Sequence, residues 1–245
     1  MKTVLITGAN KGIGFETAKQ FLQNDFYVYL ASRDLQKGVE AARKLKAEGL
    51  TQVEAVQLDV TNEDSVNQAR QQIGSKVRVL DVLINNAGVN GGMPYTALDA
   101  TMQQFMTAFD TNVFGVARVT QAFIDLLHNS PEPRIVNVST SVGSLSLQSD
   151  TSWPAYDYAK YAVYGSSKAA MNMYTIHLAY ELRDTAFKIN AVCPGYTKTD
   201  FTNQNGGEVE EAARRIIKYA MIDQNGPTGK FFSEESNPET SGIPW

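Results

Sequence analysis

The stretch Thr7-Gly8-Ala9-Asn10-Lys11-Gly12-Ile13-Gly14 limits what this chain can fold into more than any other. It follows the apolar, β-prone run Thr3-Val4-Leu5-Ile6 and leads into Phe15 to Leu22, where apolar residues recur at helical spacing. Strand, glycine turn and helix in that order make an anion site. The backbone N–H groups of the turn and of the helix N-terminus point at whatever lies above them, and absent side chains let a pyrophosphate approach. A glycine-rich turn alone is an ordinary loop; the flanking strand and helix turn it into a binding element.

The remainder of the chain alternates short β-prone runs with longer helical segments. Tyr27–Leu30, Val53–Val56, Val79–Ile84, Arg134–Val138 and Lys188–Val192 read as strands. Helical spacing predicts helices near Leu35–Ala47 and Asp64–Ile73, and long ones over about Thr101–His128 and Tyr161–Arg183. In the Gly-, Pro- and Ser-rich tail from Gln224, only Lys230-Phe231-Phe232 reads as a strand. This βαβα rhythm predicts an α/β fold, a doubly wound parallel sheet with helices on both faces and its ligand at the carboxyl ends of the strands. At 245 residues the chain fits one such domain, 1–245, with a large core.

Composition narrows the partners. Net charge is -4 without a basic run, so nucleic acid is not expected. No apolar stretch approaches the ~18–20 residues that span a bilayer, and the first strand begins too early for a signal peptide. One cysteine (Cys193) excludes an internal disulfide and suits the cytoplasm; with His128 and His177 far apart, no metal site is expected.

Five motifs in this order resemble the short-chain dehydrogenase/reductase family, and the resemblance runs nearly the whole length. They are the glycine turn Gly8-Ala9-Asn10-Lys11-Gly12, Asn85-Asn86-Ala87-Gly88 after the fourth strand, Asn112 in the following helix, Tyr164-Gly165-Ser166-Ser167-Lys168, and the Cys193-Pro194-Gly195 turn. Within the family, Ala9-Asn10-Lys11 and Ala31-Ser32-Arg33-Asp34 look most like NADPH-dependent carbonyl reductases and plant ketone reductases. The resemblance implies a single Rossmann-type domain, NADP(H) as cofactor and a small carbonyl or alcohol as substrate. It also implies that Lys168 holds the nicotinamide ribose and that Asn112 anchors a proton-relaying water. Gly8, Asn10, Gly12, Ile13, Gly14, Asp59, Val60, Asn86, Ala87, Gly88, Pro194, Gly195, Thr197 and Thr199 are implied cofactor contacts, together with Tyr164 and Lys168. The resemblance implies that Asp59 and Val60 meet the adenine, and Thr197 and Thr199 the carboxamide and phosphates.

The residues themselves support that chemistry. Tyr164 and Lys168 are four apart and share a helix face. A lysine ammonium favours phenolate and is expected to lower a phenol from its usual ~10, so that Tyr164 serves as general acid in ketone reduction. Tyr156 and Lys160 repeat the spacing, but after Pro154 in a loop. In Asn137-Val138-Ser139-Thr140-Ser141-Val142-Gly143 the carbonyl-orienting hydroxyl is expected from Thr140, with Ser139 and Ser141 turned away if the pleat persists. Cofactor choice turns on Arg33, which can fork onto a 2′-phosphate, with Lys11 adding a second positive charge; Asp34 reads as a helix cap.

Between Thr140 and Tyr164 lies an insertion of about 141–160, longer than most relatives carry there. With a loop of about 196–210 it is expected to shape the substrate side, where Met93, Tyr95, Trp153, Tyr158 and Phe201 either line an apolar pocket or pack the loops down. Its position favours a monomer while leaving a dimer or tetramer open. NADPH-dependent carbonyl reduction is the leading expectation, beside NADP-dependent alcohol oxidation and a non-catalytic NADPH sensor.

Overall fold

The computed structural model describes all 245 residues. Seven parallel strands form one sheet in the order β3-β2-β1-β4-β5-β6-β7. In chain order they are β1 (Thr3–Ile6), β2 (Tyr27–Ser32), β3 (Val53–Gln57), β4 (Val82–Asn85), β5 (Arg134–Val138), β6 (Lys188–Val192) and β7 (Phe231–Phe232). The helices are α1 (Gly12–Gln23), α2 (Leu35–Ala47), α3 (Glu63–Gly74), α4 (Met102–Phe109), α5 (Gly115–His128), α6 (Leu145–Ser149), α7 (Ala162–Glu181) and α8 (Val209–Ala220).

Pleating divides the core in two. Val4, Ile6, Val28, Leu30, Ile84 and Val136 face Phe21 of α1, Leu45 of α2 and Ile216 of α8. Leu5, Tyr29, Leu83, Ile135 and Ile189 face the other way, onto Ile73 of α3, Phe123 of α5 and Ala179 of α7. With both faces covered, the central strands read as unbroken apolar runs. Strand order reverses between β1 and β4, which opens a crevice above Ile6 and Asn85, where doubly wound sheets bind their ligands.

The structure differs from the sequence reading in four places. The fourth strand starts at Val82 instead of Val79: Leu80 N–H bonds to Leu126 O of α5, while Asp81 bonds through its main chain to Thr3 O and Arg134 N–H and accepts the Thr3 N–H on its carboxylate at 2.7 Å. The helix expected over Thr101–His128 is interrupted by a π-turn at Asp110–Phe114, after a Thr101/Gln104 capping box opens it. Helix α6 forms inside the insertion, capped by the Ser144 hydroxyl. Helix α8 lies almost entirely between the loop expected to about 210 and the tail from Gln224, a span with no predicted element, although Val209, Ala212, Ala213, Ile216, Ile217 and Ala220 make a helical stripe, all but Val209 buried.

Phe123 is fully buried at the centre of the α5–α7 face. Phe123→Ala is expected to lower unfolding free energy by about 3–5 kcal/mol in a denaturant titration, because the cavity cannot collapse between helix and sheet.

Candidate active site

The glycine turn is held from below. Thr7 Oγ1 accepts the backbone N–H of both Asn86 and Ala87 at 3.0 Å, and Asn86 Nδ2 donates to Thr7 O and Gly8 O at 2.9 and 3.2 Å. Gly8 and Gly12 take positive φ (64° and 58°), and a Cβ on Gly14 would lie 2.5 Å from Asn86 Nδ2 and 2.6 Å from Gly8 O. Helix α1 then starts without a side-chain cap and without an acidic residue in its first turn. Its first N–H groups and positive dipole end are free for an anion, so the residues present fit a pyrophosphate.

Along the rim, Arg33 is exposed, and Asp34 caps α2 by accepting Lys37 N–H at 3.2 Å, the role expected for it. Lys11 pairs with Asp200. The Asp59 carboxylate accepts from the N–H and hydroxyl of Thr61 at 3.0 and 2.8 Å through one oxygen, which leaves the other open. Val60 packs on Gly115 at the start of α5, and its carbonyl accepts from Arg118.

The π-turn presents Asn112, whose side chain is fully buried. Asn112 Nδ2 donates to Val89 O at 2.8 Å and Ser167 Oγ at 2.9 Å, and Oδ1 accepts Val89 N–H at 2.9 Å. Both amide hydrogens are spent, so a water bound to this side chain can only donate to Oδ1. A Cβ on Gly88 would stand 3.3 Å from that oxygen and 3.7 Å from Lys168 Nζ. The loop after β4, the π-turn and α7 therefore meet at one point.

On α7, Lys168 is 3 % exposed and donates to Val138 O at 2.7 Å. Its ammonium lies 6.0 Å from the centre of the Tyr164 ring. Burial pulls the lysine down to about 8 and pushes the Tyr164 phenol up, above its ordinary value. The second shift corrects the expectation that Lys168 lowers Tyr164: in this dry site loss of hydration outweighs the attraction of an ammonium committed to a carbonyl. Tyr164 is held in its protonated form, the form a general acid requires.

The hydroxyl run closes the site. Ser139 Oγ donates to Asn172 Oδ1 at 2.7 Å, and Asn172 in turn donates to Gly143 O at 3.2 Å, so Ser139 is spent on the scaffold. Thr140 is half-buried and only accepts, from Val142 N–H at 3.3 Å, which leaves its own proton to donate. The 3-10 turn Ser141–Gly143 seats on α7, where a Cβ on Gly143 would come within 2.8 Å of Lys168 Cβ.

After β6, Gly195 has φ 93°, and Arg215 Nη1 donates to Pro194 O at 2.7 Å. Glu235 accepts Tyr196 N–H at 3.1 Å, Thr197 bonds back to Gly195 O at 3.0 Å, and Thr199 faces Gly12 across the crevice. Of the five residues expected either to line an apolar pocket or to pack the loops down, Phe201 meets Tyr164, with ring centres 5.3 Å apart. Tyr95 packs on Tyr161, while Met93 and Tyr158 are exposed. Tyr156 and Lys160 form a cation–π pair at 3.7 Å, with Lys160 also bound to Gln148.

The sequence reading missed Ser167, Asn172, Arg215 and Glu235, which position the site without facing it. It also missed a buried polar ladder under the crevice. Asn85 Nδ2 bonds to Thr120 Oγ1 and Asn137 Oδ1 at 3.1 and 2.8 Å, and Asn137 Nδ2 to Thr175 Oγ1 at 2.8 Å. Asn137 between the apolar Val136 and Val138 of β5 was the signal available for it.

A doubly wound parallel sheet with this glycine turn and this Asn–Thr–Tyr–Lys constellation at its carboxyl edge defines a dinucleotide-dependent oxidoreductase class. The family profile described as short chain dehydrogenase matches residues 2–209, and the chain belongs to that family. It is 35% identical to (-)-isopiperitenone reductase of Mentha piperita over 306 aligned positions, covering 94% of this chain and 96% of that one. That alignment exceeds the 245 residues present here, so the mint protein carries segments this chain lacks. The structure of salutaridine reductase from Papaver somniferum superposes with a TM-score of 0.82 at 30% identity, covering 95% of this chain and all of that one. NADPH-bound carbonyl reductase from chicken fatty liver gives 0.84 at 25% identity, covering 100% of this chain and 99% of that one.

Thr140→Ala is expected to cost roughly 10²–10³-fold in turnover, as for loss of one oxyanion-type donor. Ser141→Ala should be mild, and Ser139→Ala should act mainly through stability, visible as a lowered melting temperature with a retained rate per folded molecule.

Proposed function

We propose that this chain reduces a ketone or aldehyde to the alcohol with NADPH. The observation that carries the reading is the meeting of Gly88, Asn112, Ser167 and Lys168 beside a glycine turn whose helix N-terminus has no side-chain partner. Relatives named as isopiperitenone, salutaridine and carbonyl reductases support it. The turn and α1 receive the pyrophosphate, Arg33 and Lys11 the 2′-phosphate, and Asp59 and Val60 the adenine. Asn86, Ala87 and Gly88 follow the adenosine ribose, while Ile13, Pro194, Gly195, Thr197 and Thr199 line the far end. NADPH, when bound, supplies the hydride for the carbonyl carbon.

The chain's own residues manage the proton and the charge. Thr140 donates its hydroxyl to the carbonyl oxygen and orients it. Tyr164 gives that oxygen its proton, and Lys168 stabilises the phenolate left behind. Asn112 keeps one lone pair for a relaying water and ties α7 to the loop after β4. Protonated Tyr164 is the form that reduction consumes. We read residues 1–245 as one catalytic domain in which 141–160 and 196–210 shape the substrate side. The insertion beside the start of α7 supports a monomer, and the single free thiol supports a cytoplasmic address.

Tyr164→Phe is expected to leave NADPH affinity nearly unchanged while turnover falls by about 10²–10⁴-fold, the contribution of a positioned proton donor. Tyr156→Phe should keep most activity. NADPH oxidation followed across ketones, aldehydes and quinones provides the readout; a wild-type rate in Tyr164→Phe removes the mechanism.

The pH profile carries its own sign. The Lys168 cation is lost as pH rises through about 8, so kcat/KM for reduction should be flat below that point and fall above it. Arginine stays charged; Lys168→Arg, though slower, should lose this alkaline fall. An alkaline limb unchanged in Lys168→Arg would detach it from Lys168.

A further inference from the structure

The ion pair between Lys11 and Asp200 joins the glycine turn to the far side of the crevice. Lys11 Nζ stands 2.6 Å from Asp200 Oδ2, and both side chains are largely exposed (66% and 61%), so a dissolved anion can reach the lysine. Asp200 does not hang freely. Its other oxygen accepts from Gln204 Nε2 at 2.9 Å, and it opens the 3-10 turn Asp200–Thr202, where Thr199 N–H donates to Thr202 Oγ1 and Thr202 N–H to Thr199 O, both at 3.1 Å. Thr199 Cγ2 would be 3.3 Å from a Cβ on Gly12, so the segment itself presents Asp200 to the turn. The next residue, Phe201, is the one that meets the Tyr164 ring.

We propose that Asp200 competes with the cofactor's 2′-phosphate for Lys11, and so sets how strongly the chain prefers the phosphorylated cofactor. The proposal rests on the reading that Lys11 and Arg33 receive that phosphate. A phosphate monoester brings nearly two charges and three acceptor oxygens against one carboxylate, and it displaces Asp200 from Lys11. Arg33 contributes without such a competitor, since its acidic neighbour Asp34 is engaged with Lys37. Displacement leaves Asp200 tied to Gln204 alone and loosens the turn that carries Phe201. Arrival of the phosphate at one end of the crevice is thereby felt beside Tyr164 at the other.

The test is calorimetric titration of the whole chain with adenosine 2′,5′-bisphosphate and with adenosine 5′-monophosphate. Asp200→Asn, a surface change that preserves shape, should bind the bisphosphate up to about fivefold more tightly, the scale of an exposed ion pair, and the monophosphate unchanged. In a Lys11→Gln background the same substitution should change neither affinity, because the contested cation is gone. Chymotryptic cleavage after Phe201 should speed up with the bisphosphate and not with the monophosphate. Unchanged or weaker bisphosphate binding in Asp200→Asn overturns the proposal. So does an equal gain in the Lys11→Gln background, which would mark general repulsion, and so does protection after Phe201. A wild type that does not prefer the bisphosphate removes the phosphate-binding reading and the proposal with it. A preference that persists while Asp200→Asn has no effect removes the proposal alone.

Discussion

The buried amide of Asn112 is the interaction on which the site's geometry depends. Each unmet polar group of a buried amide costs about 1–3 kcal/mol, so the chain around it must supply partners in the right places. The main chain of Val89 supplies two and the Ser167 hydroxyl supplies one. Those three bonds join the loop after β4 to α7, and Gly88, one residue before Val89, is thereby brought to Lys168. The π-turn belongs to the same account. One extra residue in the turn re-aims Asn112 while α4 and α5 continue on either side.

Beneath this knot the polar ladder Thr120–Asn85–Asn137–Thr175 occupies the place where the α5–α7 face of the core meets the crevice. It replaces apolar packing with directional bonds between β4, β5, α5 and α7, and it fixes their relative heights. Lys168 uses the end of the same layer, the carbonyl of Val138, as its anchor. Tyr164 and Lys168 thus share a rigid, poorly hydrated setting in which each is pushed toward its neutral form. In the proposed mechanism, creation of a phenolate beside that ammonium would convert the burial penalty into stabilisation of the new ion pair.

The parallel sheet and most helices were legible in the sequence because their signals are local and periodic: apolar runs for buried strands, helical stripes for the covers, and glycine in the turn after the first strand. The residues of the constellation were legible through their motifs. What was not legible is long-range. Nothing around Ser139 or Asn172 announces that they bond across 33 positions, and Arg215 and Glu235 brace the Pro194–Gly195 turn from a helix that the sequence reading does not assign and from the irregular tail. The π-turn was hidden for the opposite reason: helical spacing persists on both sides of it. The direction of the Tyr164 shift was misread because spacing reports the neighbour and says nothing of the water removed.

Tyr156 and Lys160 make that last point within the same chain. They have the same residue types at the same separation as Tyr164 and Lys168, on a loop instead of a helix. Lys160 lies over the face of its tyrosine at 3.7 Å and is held by the carbonyl and side chain of Gln148, in solvent. An ammonium on the ring face is attracted to the aromatic quadrupole, where it does little for the phenol oxygen. The pair proposed to be catalytic differs in its surroundings: a buried lysine with a main-chain anchor, a phenol pushed toward its protonated form, and Thr140 on the adjoining turn with a proton to donate. The proton delivery proposed for Tyr164 depends on that environment, and the Tyr-x-x-x-Lys spacing is only the means of bringing two side chains into it.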